Sequence, residues 1–128
     1  MLKVGVVGCG GIGLKHSLAY QSHPESELVC VCDMVKEKAD SRAQDLGVKA
    51  YYSVKDMLTA EDDLDVVGVI TADHLHFEPV MEALEAGKHV LVEKPLSMDI
   101  KEAEQMVAKA EEKGVQLAID YNRRCSST

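Results

Sequence analysis

The glycine-rich segment near the start of the sequence has a spacing that suits phosphate binding. Residues 8–13 read G-C-G-G-I-G, a G-x-G-x-x-G pattern that directly follows the β-rich run Lys3–Val7. The helical pattern that the loop opens is carried by Ile12, His16, Ala19 and Tyr20. In such a unit Gly8 allows a tight turn, Gly10 lets backbone N–H groups approach a pyrophosphate, and Gly13 lets the helix pack closely on the strand. The positive end of the helix dipole then faces the anion.

An acidic residue lies where a dinucleotide-binding loop requires one. Asp33 comes twenty residues after Gly13 and immediately after the β-rich run Leu28–Cys32. A carboxylate at the end of a second strand accepts hydrogen bonds from the adenosine ribose hydroxyls and repels a 2′-phosphate. The next residues, Met34 and Val35, include no arginine that would hold such a phosphate. The sequence therefore predicts a dinucleotide site that prefers NAD to NADP.

Three other phosphate or dehydrogenase motifs fit these residues less well. A Walker A loop needs Lys directly after its last glycine, whereas Leu14 stands between Gly13 and Lys15. The protein-kinase loop runs between two strands, and its downstream partner motifs are absent from the sequence. Tyr51 and Lys55 have the Tyr-x-x-x-Lys spacing of short-chain dehydrogenases, but they lie at the third predicted strand rather than deep in a later helix.

The elements that must position these residues alternate regularly along the chain. The β-rich runs are Lys3–Val7, Leu28–Cys32, Lys49–Tyr51, Val66–Ile70, His89–Val92 and Val115–Ile119. Most are continuously apolar, which is typical of parallel strands covered on both faces. Helical patterns lie between them, one of them opened by Ser53 and Asp56 at capping-box-like spacing. We predict a single α/β domain over residues 1–120, a doubly wound parallel sheet (Rossmann fold) with six strands in the order 3-2-1-4-5-6.

Composition narrows the classes of function further. The chain has 128 residues, 46% of them hydrophobic, and carries 14 Lys and Arg against 22 Asp and Glu. The resulting net charge of −8 argues against nucleic acid as a partner, because its phosphates would be repelled. The longest apolar run, residues 66–70, is far shorter than the roughly 20 residues that span a bilayer. Because residues 1–7 resemble a strand rather than a secretion signal, we expect a cytoplasmic location and no membrane partner.

The four cysteines do not suggest a metal site. Cys9, Cys30, Cys32 and Cys125 lack C-x-x-C spacing and lie mostly within apolar stretches, as reduced cysteines do. We therefore expect no bound metal. Cys9 and Cys32 would end neighbouring strands of the predicted sheet, so the sequence leaves open whether they pair.

Polar residues also follow the fourth and fifth predicted strands. Residues 71–76 read T-A-D-H-L-H and leave the fourth strand, while Glu93, Lys94 and Pro95 leave the fifth. Ligands of doubly wound sheets bind beyond the carboxyl ends of the strands, so both segments should face the same crevice as the glycine loop. Taken singly, Asp73 would be a helix cap and Lys94 a solvated loop residue.

Together, these motifs resemble the N-terminal domain of the glucose–fructose oxidoreductase/inositol dehydrogenase (Gfo/Idh/MocA) family. The resemblance covers essentially the whole chain, and its most specific part is residues 86–95, A-G-K-H-V-L-V-E-K-P. It implies that Lys94 lies beside the nicotinamide and the substrate hydroxyl and that His76 lines the cofactor crevice. Residues 121–128 would begin the connection to a C-terminal substrate domain. Where the family usually has Pro-Asn, this chain has Ala72-Asp73, which places a carboxylate near the cofactor.

The chemistry that this resemblance implies is reversible hydride transfer between nicotinamide C4 and a hydroxyl-bearing carbon of a sugar, polyol or related small molecule. Lys94 would stabilise a developing alkoxide and Glu93 would orient that lysine, so both are assigned as catalytic. The predicted cofactor-binding residues are Gly8, Gly10, Gly11, Ile12, Gly13, Asp33, Thr71, Asp73, His76, Glu93, Lys94 and Arg123. Self-association through the exposed sheet edge is a further expectation.

A different class of function remains as the alternative. A stand-alone nucleotide-binding module with a redox-sensing or regulatory role would need the glycine loop and Asp33 as well. Such a module has no need of a catalytic lysine, so Glu93, Lys94 and Pro95 favour the oxidoreductase domain.

Overall fold

A six-stranded parallel sheet organises the chain in the computed structural model, which describes residues 1–70, 77–93 and 100–120. The strands lie in the order β3-β2-β1-β4-β5-β6, and every neighbouring pair is parallel, as predicted. The strands are β1 (Leu2–Val7), β2 (Ser26–Cys32), β3 (Lys49–Tyr51), β4 (Val66–Val69), β5 (His89–Glu93) and β6 (Leu117–Asp120). The helices are α1 (Gly11–Ser22), α2 (Lys36–Leu46), α3 (Val54–Ala60), α4 (Phe77–Glu85) and α5 (Ile100–Lys113).

Two apolar clusters form on the sheet. One holds Met57 of α3, Leu84 of α4 and Met106 of α5, packed with strand residues such as Val69 and Val92. The other holds strand residues together with a helical residue of α2 and includes Val4, Val6, Val31 and Ala43. Because successive residues of a strand point to opposite faces, continuously apolar strands can supply both clusters.

A bulge between β1 and β2 sets the register at the carboxyl edge of the sheet. Val4 pairs with Leu28, but the next residue, Gly5, pairs with Cys30, so Val29 is the extra residue. From there the register continues to Val7 opposite Cys32. The sequence pattern gives no indication of this bulge. The shifted register places the end of β2 beside the end of β1, so that Asp33 follows β2 next to the start of the glycine loop.

The predicted element boundaries hold with small corrections. Ser53 caps α3 as predicted, because its hydroxyl accepts a hydrogen bond of 3.0 Å from the Asp56 N–H. β6 begins at Leu117 rather than at Val115. The reason is that the Val115 N–H donates to the Ala110 carbonyl oxygen and so belongs to the turn that ends α5.

Three of the cysteines are buried free thiols. Cys9 and Cys32 do not form a disulfide; the Cys9 Sγ instead contacts the Cys32 carbonyl oxygen at 3.8 Å. Burial raises the pKa of Cys9 to about 11 and that of Cys30 and Cys32 to about 12. The thiols are therefore protonated at neutral pH, while Cys125 lies outside the described residues. None of the helices in the described ranges is long and apolar enough to cross a membrane.

Candidate dinucleotide-binding site

The carboxyl edge of the sheet brings the glycine loop, Asp33 and Glu93 to one side of the molecule. The Gly8 N–H donates to the Cys32 carbonyl at 2.8 Å, which fastens the start of the loop to the end of β2. On the other side of β1, the Ile70 N–H donates to the Val7 carbonyl at 2.8 Å. The strand order reverses at β1, so the crevice beyond it is where ligands of doubly wound sheets bind.

The glycines of the loop have separate roles. Gly8 has φ of 108°, a conformation that other residues adopt only with strain. A Cβ on Gly13 would collide with the Gly8 carbonyl oxygen, so the third glycine is what lets α1 approach β1. A Cβ on Gly10 would meet no atom within 4 Å, and the space in front of this residue is open. These are the turn, the close packing and the open approach that a pyrophosphate site needs.

The N-terminus of α1 is left available for an anion. Its N-cap residue, Gly10, has no side chain to accept from the first N–H groups, and its first turn has no acidic residue. Each of the other helices has an acid in the first turn: Glu37, Asp56, Glu78 and Glu102. The backbone of Gly11 and Ile12 forms the uncompensated first turn of α1. The free N–H groups and the helix dipole therefore fit the pyrophosphate of a dinucleotide.

Both oxygens of the Asp33 carboxylate are bound to backbone. Oδ2 accepts from the Cys9 N–H at 3.0 Å, and Oδ1 accepts from the Val35 N–H at 2.9 Å. These bonds orient the carboxylate and link it to the glycine loop. Since an ionised carboxylate has about four acceptor positions, acceptor capacity remains for ribose hydroxyls. The adjacent Met34 is 74% exposed.

Arg42 is a residue near the loop that sequence reasoning missed. It lies on α2, and its Nη1 donates to the Gly10 carbonyl oxygen at 3.2 Å. No motif indicates this contact, because it depends on how α2 packs beside the loop. The structure thus brings a cation to the ribose side of the site.

His16 is the second residue that sequence reasoning missed. Its Nε2 lies 3.2 Å from Oε2 of Glu93, and the two side chains are only 11% and 12% exposed. Glu93 was expected to orient Lys94, and His16 was expected only as part of a helical stripe. One feature of the sequence could have indicated a role for His16: it is a titratable residue at a position of α1 predicted to be buried, three residues after Gly13.

The buried face of α1 differs from the predicted stripe. Ala19 is exposed, whereas Ser17 is only 1% exposed. Leu18, an apolar residue, is 45% exposed. The close approach at Gly13 turns a face of small residues toward the sheet, which apolar periodicity alone does not reveal.

The Tyr51 and Lys55 pair has a structural explanation. The Tyr51 hydroxyl donates to Glu61 Oε2 at 2.6 Å, and this bond is the main reason that the pKa of Tyr51 rises to about 12. Lys49 also lies 3.3 Å from the same carboxylate oxygen. A tyrosine held in this way is poorly suited to acid–base catalysis, which supports the rejection of the short-chain dehydrogenase motif.

Several predicted site residues lie outside the described residues: Thr71, Asp73, His76, Lys94 and Arg123. Their neighbours in sequence are described, since Ile70 follows β4 and Glu93 ends β5 opposite Asp120 of β6. Within residues 1–70, 77–93 and 100–120, no group of three His, Cys, Asp or Glu side chains is arranged to hold a metal ion.

The comparison with known families agrees with this geometry. Residues 2–121 match the GFO_IDH_MocA family, described as an oxidoreductase family with an NAD-binding Rossmann fold. The chain therefore belongs to the Gfo/Idh/MocA oxidoreductase family.

Relatives and solved structures extend this assignment. The glucose-6-phosphate 3-dehydrogenase of Bacillus subtilis is 33% identical over 97% of this chain and 35% of its own length. The WlbA dehydrogenase from Bordetella pertussis, solved with NADH and UDP-GlcNAcA, superposes with a TM-score of 0.90 at 32% identity over 97% of this chain and 38% of that one. KijD10, a 3-ketoreductase from Actinomadura kijaniata solved with TDP-benzene and NADP, superposes with a TM-score of 0.85 at 34% identity. The match covers 94% of this chain and 38% of KijD10. The chain thus spans little more than a third of the length of these proteins.

Proposed function

We propose that this chain is the NAD-binding domain of a dehydrogenase that transfers hydride between nicotinamide and a hydroxyl-bearing carbon of a sugar or polyol. The observation that carries the proposal is the uncapped N-terminus of α1 beside open space at Gly10, with Asp33 bound to the same loop. The family match and the sugar-directed names of the relatives support it. The alternative of a non-catalytic regulatory module is not favoured, because these relatives are dehydrogenases or reductases.

Each part of the site has a distinct task in this proposal. A bound NAD would supply the hydride acceptor, carbon 4 of its nicotinamide. The N–H groups of the first turn of α1 bind the pyrophosphate, and Asp33 accepts from the adenosine ribose hydroxyls. Lys94, which follows Glu93 in the sequence, is proposed to manage the proton. When the substrate carbon loses its hydride, the hydroxyl proton passes to a neutral Lys94 Nζ, and the reverse reaction returns it.

Further cofactor contacts are proposed for the residues that the structure does not describe. Thr71, Asp73 and His76 follow β4 in the sequence and Arg123 follows β6, which supports the proposal that they contribute at the same edge as the glycine loop. We assign residues 121–128 to the start of a connection toward a substrate domain, because the relatives are nearly three times as long as this chain.

Asp33 should determine a preference for NAD over NADP. Because a fixed carboxylate repels a 2′-phosphate, the dissociation constant should be lower for NAD than for NADP. Asp33→Ser removes the charge and should change the ratio of the two constants by roughly tenfold or more, about 1.4 kcal/mol, with Arg42 then free to favour the phosphate. Calorimetric titration measures both constants.

A matched control removes an acid of α2 that faces solvent. Asp45→Ser changes the net charge by the same amount at an exposed position, so its NAD-to-NADP ratio should equal that of the parent. Equal or tighter binding of NADP by the parent chain would contradict the assignment of Asp33.

This 128-residue chain should fold and bind NAD without turning over substrate. Its sheet and helices supply the pyrophosphate and ribose contacts, so the cofactor should bind. Hydride transfer also requires a substrate held within about 3–3.5 Å of the nicotinamide in a water-poor cleft, and we propose that another domain completes that cleft. Calorimetry with NAD followed by an assay of NADH formation with sugars and polyols tests both parts. Robust NADH production by this chain alone would mean that its 128 residues contain a substrate site.

A further inference from the structure

A largely buried pair connects the cofactor-loop helix to the strand that leads to Lys94. Nε2 of His16 in α1 and Oε2 of Glu93 in β5 are 3.2 Å apart, although the residues are 77 positions apart in sequence. Their side chains are 11% and 12% exposed. A carboxylate this sheltered from water needs a partner, because an unsatisfied buried acid is costly.

Both members of the pair lie on firmly held backbone. His16 comes one helical turn after Gly13, where α1 is packed against the Gly8 carbonyl. Glu93 is the last residue of β5, it pairs with Asp120 of β6, and the preceding Val92 is fully buried. A change at His16 therefore alters the surroundings of the Glu93 side chain, and Glu93 directly precedes Lys94 in the sequence.

We propose that His16 is a positioning residue that acts on Lys94 through Glu93. By holding the Glu93 carboxylate toward α1, His16 sets the influence of that carboxylate on Lys94, the next residue in the sequence. This inference rests on the proposed function of Lys94. It predicts that the pair matters for the hydride-transfer step and little for cofactor affinity, since the contacts proposed for the pyrophosphate and the ribose come from the first turn of α1 and from Asp33.

The test compares His16→Leu with His16→Gln in the full-length protein. Leucine removes the hydrogen-bonding group, whereas glutamine can place an amide near the position of Nε2. We expect His16→Leu to lower kcat roughly 10- to 100-fold, the scale of a small misplacement in an active site, with KM for NAD changed less than about threefold. His16→Gln should restore most of kcat. His23→Leu is the control, because His23 is an exposed histidine directly after α1 whose side chain accepts a hydrogen bond only from the nearby Glu25 N–H among the contacts described. This variant should behave like the parent.

A second readout does not depend on turnover. The rate at which acetic anhydride modifies Lys94, measured by mass spectrometry with exposed Lys15 as the internal reference, should change at least about threefold in His16→Leu and not in His23→Leu, because a nearby carboxylate affects how much of an amine is unprotonated. The double variant His16→Leu/Glu93→Gln should be no slower in turnover than the slower single variant, because the two residues act as one unit.

The outcomes separate this inference from the proposed function. An unchanged Lys94 modification rate in His16→Leu would overturn the inference whatever the turnover. The inference would also be overturned if His16→Leu lowered both kcat and thermal stability and His16→Gln restored neither. If Lys94→Ala keeps parental turnover while the modification rate still responds to His16, the coupling stands and the proposed role of Lys94 fails instead.

Discussion

Replacing Gly13 with alanine is expected to destabilise the domain by about 3 kcal/mol and to remove measurable NAD binding. A Cβ at this position would overlap the Gly8 carbonyl oxygen, which is backbone and cannot move without moving the turn at the end of β1. Overpacking of this kind typically costs about 1–3 kcal/mol, and here relief of the clash would displace the N-terminus of α1 as well. Thermal or urea denaturation measures the first effect and calorimetric titration with NAD the second.

Gly10→Ala is the matched control, because it changes the same loop by the same group. Its backbone, with φ of −80°, suits alanine, and the added Cβ would meet no protein atom within 4 Å. The free energy of unfolding should therefore stay close to that of the parent, while NAD binding weakens roughly tenfold or more because the methyl group occupies the approach of the pyrophosphate. If Gly13→Ala were as stable as the parent, the close contact between α1 and the loop would not be the reason for glycine there.

Lys94→Ala should lower turnover by about 10²–10⁴-fold in the full-length protein, the usual contribution of a general acid–base group. The motive is that Lys94 follows Glu93 in the sequence, and Glu93 ends β5 at the carboxyl edge of the sheet where the glycine loop and Asp33 also lie. Its proposed task begins only when the substrate hydroxyl gains or loses its proton, so the affinity for NAD should stay within about threefold of the parent. Steady-state kinetics and NAD titration separate the two effects.

Lys88→Ala provides the control at the opposite end of the same strand. Lys88 precedes β5, and its Nζ donates to the Asp62 carbonyl oxygen at 2.6 Å, away from the carboxyl edge. The same loss of charge there should leave kcat unchanged. Near-parental turnover of Lys94→Ala would show that Lys94 carries no proton in the reaction and would leave the proposed function without its acid–base group.

Much of this protein could be read from local patterns in the sequence. Continuous apolar runs indicate parallel strands because strands covered on both faces need apolar residues at every position. The glycine spacing predicts the turn and the close helix because these depend on residues close together in the chain, and Asp33 is predicted as the ribose contact from its place at the end of the second strand. The alternation predicts a parallel sheet with right-handed crossovers, and the dinucleotide-binding glycine loop then favours the order 3-2-1-4-5-6 that the structure confirms.

The tertiary structure alone decided which distant residues meet. The bulge at Val29, the bond from Arg42 to the loop and the pair of His16 with Glu93 each depend on how two separate elements pack. The periodicity of the sequence does not predict such a pairing, because the local sequence pattern is the same whether a polar residue of a helix faces solvent or a carboxylate of a strand. The sequence by itself therefore determined the fold and the pyrophosphate loop. Packing determined how Asp33 is tied to that loop and which side chain holds the Glu93 carboxylate.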